Sequence, residues 1–435
     1  MLLPDGERAA SIHVRDGRIV AVAPHGEHVA GVPVIDAGAL VVMPGLVDTH
    51  VHMNDPGRAD WEGAEHATRA AAAAGVTTIV DMPLNSIPAT TTLPALSAKR
   101  RAIEGRCHVD VAFWGGIVPG HAHEIEALAA SGVRGFKCFL SPSGVDEFPP
   151  VTETDLREAL PHVARTNLPL LVHAEWPARL EEPAGDPRAY HTWLASRPPS
   201  AEVAAIERLI ALAGEFDVHV HVVHLAAADP LPALRAARRH GVRITVETCP
   251  HYLAFSAEEI PDGATVFKCA PPIRRSRHRE ALWRALLDGD IDLIATDHSP
   301  APPALKCTDS GSFADAWGGI ASLQVGFSVV TTIAARRGVP FERVVRWMSA
   351  APAALAGLGR VKGAIQVGAD ADVVLWDPDV EGAVDAASLL HRHPLCPYAG
   401  MTIRGGVRTT ILRGQTICRD GELVPPRGQL IGAAA

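Results

Sequence analysis

From residue 48 to about residue 353 the chain repeats one unit, a short apolar run rich in β-branched residues followed by a longer alanine-rich stretch of helical periodicity. The apolar runs fall at residues 47–52, 77–82, 109–114, 135–140, 168–174, 218–225, 243–248 and 293–297, and helical patterns between them include 62–74, 88–105, 122–131, 152–166, 200–213 and 231–240. Strands separated by helices must run parallel, because each helix carries the chain back to where the previous strand began. Eight such units predict a closed (β/α)8 TIM barrel, an α/β fold, rather than an open sheet.

Both flanks have a different texture. Residues 10–14, 18–23, 32–36 and 39–42 read as short strands broken at Asp16-Gly17 and Gly38, and residues 372–376, 407–412 and 415–418 read the same way, with a hairpin turn at Arg413-Gly414. Two β segments at opposite ends of a barrel join most simply as one discontinuous β-sandwich domain. The expected division is residues 1–47 with 354–435 for that domain and 48–353 for the barrel.

Composition narrows the classes of function. A chain of 435 residues with 47% hydrophobic and 20% charged content has ample material for a core. A net charge of −9 without a basic run argues against a nucleic-acid surface. No N-terminal signal pattern and no apolar run of roughly 18 residues is present, so no membrane span is expected. Seven cysteines, an odd number without a Cys-x-x-Cys pair, suit reduced thiols in a cytoplasmic protein.

Alternation along a strand puts His50 and His52 on one face, and their place at the end of the first strand is where barrel chemistry sits. Lys137 in the fourth run, His173 and His224 near the ends of the fifth and sixth, and Asp297 at the end of the eighth obey the same rule. One such residue would mean little among 21 histidines. Six at one rim point to a divalent metal bound by imidazole and carboxylate in the absence of thiolate ligands. His219, His221 and His251 fit only supporting roles, Asp81 reads as a helix cap or turn former, and Glu175 and Glu247 are placed to orient ligands. Lys137 poses a problem, because an ammonium would repel the cations. It must be neutral or altered, and a free amine can take up carbon dioxide to become an anionic carbamate able to bridge two metals.

The segment Pro44-Gly45-Leu46-Val47-Asp48-Thr49-His50-Val51-His52 resembles the opening motif of the cyclic amidohydrolases, the family that holds dihydroorotase, hydantoinase and allantoinase. Gly135-Phe136-Lys137-Cys138-Phe139, Cys249-Pro250-His251-Tyr252, Lys268-Cys269-Ala270-Pro271-Pro272-Ile273-Arg274, Asp297-His298-Ser299-Pro300 and Ala316-Trp317-Gly318-Gly319-Ile320 most resemble its bacterial allantoinase branch. The resemblance spans nearly the whole chain. It implies a homotetramer with two divalent ions per site, zinc first, with cobalt, manganese or iron as alternatives. It further implies His50 and His52 on one ion, His173 and His224 on the other, carboxylated Lys137 between them, and Asp297 both completing the first site and serving as catalytic acid and base. The implied reaction is hydrolysis of a ring amide in a small-molecule substrate, which for allantoin yields allantoate. A hydantoinase or dihydropyrimidinase activity is the alternative, and a non-catalytic scaffold is a remote third that the six retained ligands disfavour.

The departures are informative too. Dihydroorotases carry an Arg two residues after the second histidine, an Asn where Ala270 stands and a His where Ala301 stands, whereas this chain has Asn54 at the first position. Asn54 also replaces the small Ser expected of the allantoinase branch. Backbone groups near Cys269, Ser299 and Gly318 are expected to meet the substrate, and Arg58 is the one cation close enough to join them. The resemblance also expects a further strand before Leu3-Pro4-Asp5-Gly6-Glu7.

Overall fold

The computed structural model describes residues 1–432. Every one of the eight apolar runs carries a strand: β1 (Leu46–Val51), β2 (Val76–Asp81), β3 (Asp110–Phe113), β4 (Phe136–Phe139), β5 (Leu170–His173), β6 (Val220–Val222), β7 (Ile244–Thr248) and β8 (Leu293–Ile294). Neighbours pair in parallel from β1 to β3 and from β4 to β8. A short continuation of β3, Gly115–Gly116, lies along β4 and closes one seam. The other seam joins β1 to the residues after β8 through a parallel bridge between Val51 and His298. Its hydrogen bonds run from His52 N to His298 O at 2.9 Å and from His298 N to His50 O at 3.2 Å, so closing the barrel also sets the two histidines beside Asp297.

Strand alternation divides the apolar residues into two cores. Ile79, Val111, Phe136, Cys138, Val172 and Val246 pack outward against the helices, while Val80, Ala112, Leu171, Val223 and Leu293 fill the barrel. Lys137, between two outward residues, therefore points inward, and so does His173, two positions after Leu171. Helices start where side chains satisfy their free N–H groups. Thr92 Oγ1 accepts from Ala95 N ahead of Leu93–Ile103, and Thr152 with Asp155 forms a capping box ahead of Glu153–Thr166.

The two chain ends do meet. Val41–Pro44 pairs antiparallel with the start of Val373–Ala383, in a sheet that continues through Thr402–Leu412, Gln415–Arg419 and Glu422–Leu423. The hairpin of Ala10–Arg15 and Arg18–Pro24 shares a small core with it, made of Ile19, Ile365, Val373, Leu375 and Ile411. Asp16-Gly17 and Arg413-Gly414 each place two successive residues at positive φ, the conformation a tight hairpin demands and glycine tolerates. Residues 32–36 do not form the anticipated strand. Pro33 lacks an N–H, no neighbouring segment pairs with them, and Val34 stays 65% exposed. Ahead of the hairpin, Leu2–Leu3 pairs only with Gly6–Glu7.

Barrel and flanking sheet are joined by a buried charge knot. Lys362 Nζ lies 2.6 Å from Asp110, 2.7 Å from Asp372 and 2.9 Å from Asp370, and Arg413 also pairs with Asp110. The three carboxylates lie close enough for a cation, and Lys362 is that cation. Burial disfavours its charge, but the carboxylates outweigh burial and hold the ammonium above its ordinary pKa. Removing one partner of a buried ion pair leaves the others uncompensated. Lys362→Met is therefore expected to lower unfolding free energy by about 3–5 kcal/mol in urea titrations. A loss under about 1 kcal/mol, the scale of a surface pair, would show the knot is not structural.

Candidate metal centre

Six residues predicted from the sequence converge at the C-terminal rim of the barrel. His50 Nε2 lies 3.2 Å from Asp297 Oδ1, and His52 Nε2 lies 3.5 Å from the same oxygen. His173 Nδ1 faces His224 Nε2 at 3.0 Å. The His50 and His224 rings, 5.4 Å apart, connect the two groups, and ligand atoms of His50, His224 and Asp297 lie within 4.8 Å of one another. Lys137 is wholly buried and its Nζ has no hydrogen-bond partner. An orphaned amine among converging imidazole nitrogens and a carboxylate is a donor set that fits divalent cations, and the internal contacts of this cluster leave that amine unsatisfied.

Carboxylates fix which nitrogen His50 and His173 present. His50 Nδ1 meets Glu247 Oε1 at 2.5 Å, leaving Nε2 to face Asp297. Glu247 also takes His221 Nε2 at 3.1 Å and the backbone N–H of His224 at 3.3 Å. His173 Nε2 meets Glu175 Oε2 at 2.7 Å, leaving Nδ1 to face His224 Nε2. Glu175 and Glu247 thus contact the histidines they were expected to orient. His221 acts through Glu247, while His219 bonds Thr245 and His251 is buried with neither ring nitrogen partnered.

Electrostatics prepares the same groups. Burial lowers His52 to about 4 and lowers His173 and His224 as well, so all three are neutral near pH 7 with lone pairs available. Burial brings Lys137 down to about 8, against the opposing pull of Glu247 and Asp297. Burial alone would raise Asp297, but His50 and His52 outweigh it and hold the carboxyl below its ordinary value. His224 and Asp297 also share a backbone feature: both sit at positive φ, 40° and 45°, unusual for residues with side chains and typical of sites that hold strain for function.

Asp81 is no helix cap. It is buried, pairs with Lys99 Nζ at 2.5 Å and accepts the Met53 N–H at 2.8 Å, which anchors the chain immediately after His52. A carboxylate eighteen residues before a lysine gives no local signal of such a pair. Asp48 likewise carries no local signal of its pairing with Thr296. It accepts His50 N, Thr296 N and, at 2.5 Å, Thr296 Oγ1, stitching the seam that carries the ligands. Beside the seam, His298 Nδ1 accepts two backbone N–H groups and its Nε2 faces Glu62 at 3.5 Å.

The amidohydrolase family profile matches residues 41–417, most of the chain. This chain belongs to the amidohydrolase family. It is 50% identical to an allantoinase of Streptomyces avermitilis over 99% of this chain and 96% of that protein. Identity to an allantoinase of Arabidopsis thaliana is 45%, over 97% of this chain and 87% of that one. Among solved structures, L-hydantoinase (dihydropyrimidinase) from Arthrobacter aurescens superposes with a TM-score of 0.93 at 31% identity, covering 99% and 97% of the two chains.

Loops carry the residues expected to meet a substrate. Asn54 sits two residues past His52 at φ 61°, buried, with neither amide atom partnered. Asn85 Nδ2 approaches His52 Nδ1 at 3.5 Å and its Oδ1 is unpartnered. Arg58 spends its donors elsewhere: Nη1 on Asn85 O at 3.0 Å, and Nη2 on both Glu147 oxygens at 3.1 Å. Gly318 packs beside Cys269, and Gly319 N donates to Lys268 O at 2.8 Å. A Cβ at Gly319 would fall 2.1 Å from Ser299 O, so only glycine lets these strands of loop meet. The carbonyls of Lys268, Trp317 and Gly319 accept from Lys306 Nζ at 3.2, 2.9 and 2.8 Å.

Proposed function

We propose that this chain opens the hydantoin ring of allantoin by hydrolysis, giving allantoate, at a centre built by His50, His52, Lys137, His173, His224 and Asp297. The observation that carries the reading is the near-full-length identity of 50% to an allantoinase, against 31% to the hydantoinase of similar fold. Two divalent cations, zinc first, would be held by His50, His52 and Asp297 on one side and His173 and His224 on the other, and would supply Lewis acidity toward water and the ring carbonyl. Lys137 as its carbamate would lie between them.

The chain's own residues account for the proton. The Asp297 carboxylate is ionised at neutral pH, accepts a proton as the water oxygen bonds to the ring carbonyl carbon, and returns it to the ring nitrogen as the C–N bond breaks. Asn54 and the backbone around Cys269, Ser299 and Gly318 provide uncharged donors and acceptors, which suit a neutral ring with a ureido arm. With its guanidinium held by Glu147, Arg58 contributes to the wall of the pocket instead of reaching a substrate anion.

Residues 48–353 are assigned to the catalytic barrel and 1–47 with 354–435 to the flanking domain, supported by the pairing of Val41–Pro44 with the strand from Val373. Family resemblance supports a homotetramer. All seven cysteines are unpaired, which supports a cytoplasmic setting. No helix among the described residues is long and apolar enough to cross a membrane.

The discriminating experiment compares kcat/KM for allantoin and dihydroorotate on one metallated preparation. Dihydroorotate carries a carboxylate, and burying an unpaired anion is costly. With Asn54, Ala270 and Ala301 at the dihydroorotase contact positions, allantoin should be preferred by about 10⁴-fold. Dihydroorotate turned over as well as allantoin would overturn the assignment.

A further inference from the structure

His173 ends β5 and His224 lies two residues beyond β6, yet both are tied to one continuous buried network. It begins at His173 Nε2, 2.7 Å from Glu175 Oε2. Arg197 grips Glu175 through Nε at 3.0 Å to Oε1 and Nη2 at 2.6 Å to Oε2. The carbonyl of Arg197 accepts from Arg274 Nη1. Arg274 in turn bonds Glu202 Oε1 through Nη2 at 2.6 Å and Nε at 3.2 Å. Glu202, in the first turn of helix α1 (Pro199–Phe216), then accepts the N–H groups of Ala226 and Ala227 on Oε2, each at 3.0 Å. Those residues follow directly on His224-Leu225. The network therefore starts on one histidine and ends on the backbone that carries the other.

We infer that Arg274 and Glu202, together with Arg197, are positioning residues for the second metal ion. None of the three touches the His173–His224 pair. Glu175 keeps the proton of His173 on Nε2, so that Nδ1 offers a lone pair, and Arg197 keeps Glu175 in place. Glu202 holds the turn after His224, whose positive φ needs its neighbours to maintain it. Arg274 makes these two supports one unit. Its guanidinium meets a carboxylate with two nitrogens and a carbonyl with the third, a fork that lysine cannot reproduce. Every charge in the chain is paired, two arginines against two glutamates, and only Arg197 reaches the surface, at 15% exposure. His50 and His52 make no bond to Glu175, Arg197, Arg274 or Glu202, being held by Glu247 and by the barrel seam, and Glu247 meets the other side only through the His224 N–H at 3.3 Å. The network thus bears on the His173 and His224 side and reaches the His50 and His52 side only through that shared carboxylate, so the former can be loosened with the latter largely kept.

The inference rests on the two-ion reading of the centre, and the test distinguishes the two. Chelator-stripped full-length protein is titrated with zinc against a competing indicator, and bound metal is counted by elemental analysis. Cobalt-loaded samples are read by electron paramagnetic resonance for coupling between ions. The parent protein should bind two ions. Arg274→Gln and Glu202→Gln should each weaken the second ion 10- to 100-fold while the first keeps its affinity, and cobalt at one equivalent should give an uncoupled signal. Retention of the first ion and an unchanged circular dichroism spectrum show that the variants are folded. Two ions held as tightly as in the parent would overturn the inference, and so would equal weakening of both, which is what general loosening of the scaffold produces. A parent that binds a single ion would overturn the two-ion reading itself.

Discussion

Replacing Lys137 with alanine should strip most of the bound metal and leave allantoin hydrolysis near background. Lys137 is buried, unpartnered, and surrounded by groups suited to cations. Two dications brought to one rim require an anion between them, and Asp297 is committed to the His50 and His52 side. A carbamate on Lys137 supplies that anion, and burial already lowers the amine to about 8, so a reactive fraction of free amine exists near neutral pH. Short carboxylic acids should restore part of both metal content and rate in Lys137→Ala, because they return the missing oxygens without the tether. Full metal content and full rate in this variant, or an unmodified amine in active two-metal protein by mass spectrometry and diffraction, would contradict the carbamate.

The second large effect is expected at Asp297. Asp297→Asn keeps the size of the side chain, so the barrel seam should survive, but an amide cannot take up the proton of the attacking water. The rate should fall by about 10²- to 10⁴-fold, the usual scale for loss of a general base. The comparison must be made at matched metal content, since the same carboxylate lies on the His50 and His52 side of the centre. A variant with full metal and more than a tenth of the parent rate would assign proton transfer to another group.

Most of the architecture was legible because it depends on local pattern. Runs of β-branched residues of the right length became barrel strands, and strand alternation placed Lys137 and His173 inward without further information. Residues 32–36 looked like another such run but had no partner strand, and strand formation depends on partners that a local window does not show. The candidate ligands were legible because five of them stand near or just beyond strand ends, while Lys137 faces inward from within β4. What holds them was not. Asp81 with Lys99, Glu202 with Arg274 and Arg58 with Glu147 are pairs that only the folded chain brings together, and their sequence separations carry no period. Glu175 and Glu247 were the exceptions, since Glu175 lies just past the strand that ends in His173 and Glu247 lies near the end of β7, at the same rim.

One titration tests whether this rim is a two-metal centre for allantoin. Chelator-stripped protein receives zinc in fractions of an equivalent, and allantoate formation is followed alongside bound metal. Allantoate production should be negligible in the stripped protein and rise to its maximum as the second equivalent per chain is bound. Turnover of allantoin by stripped protein, or none by protein holding two equivalents, would contradict that reading.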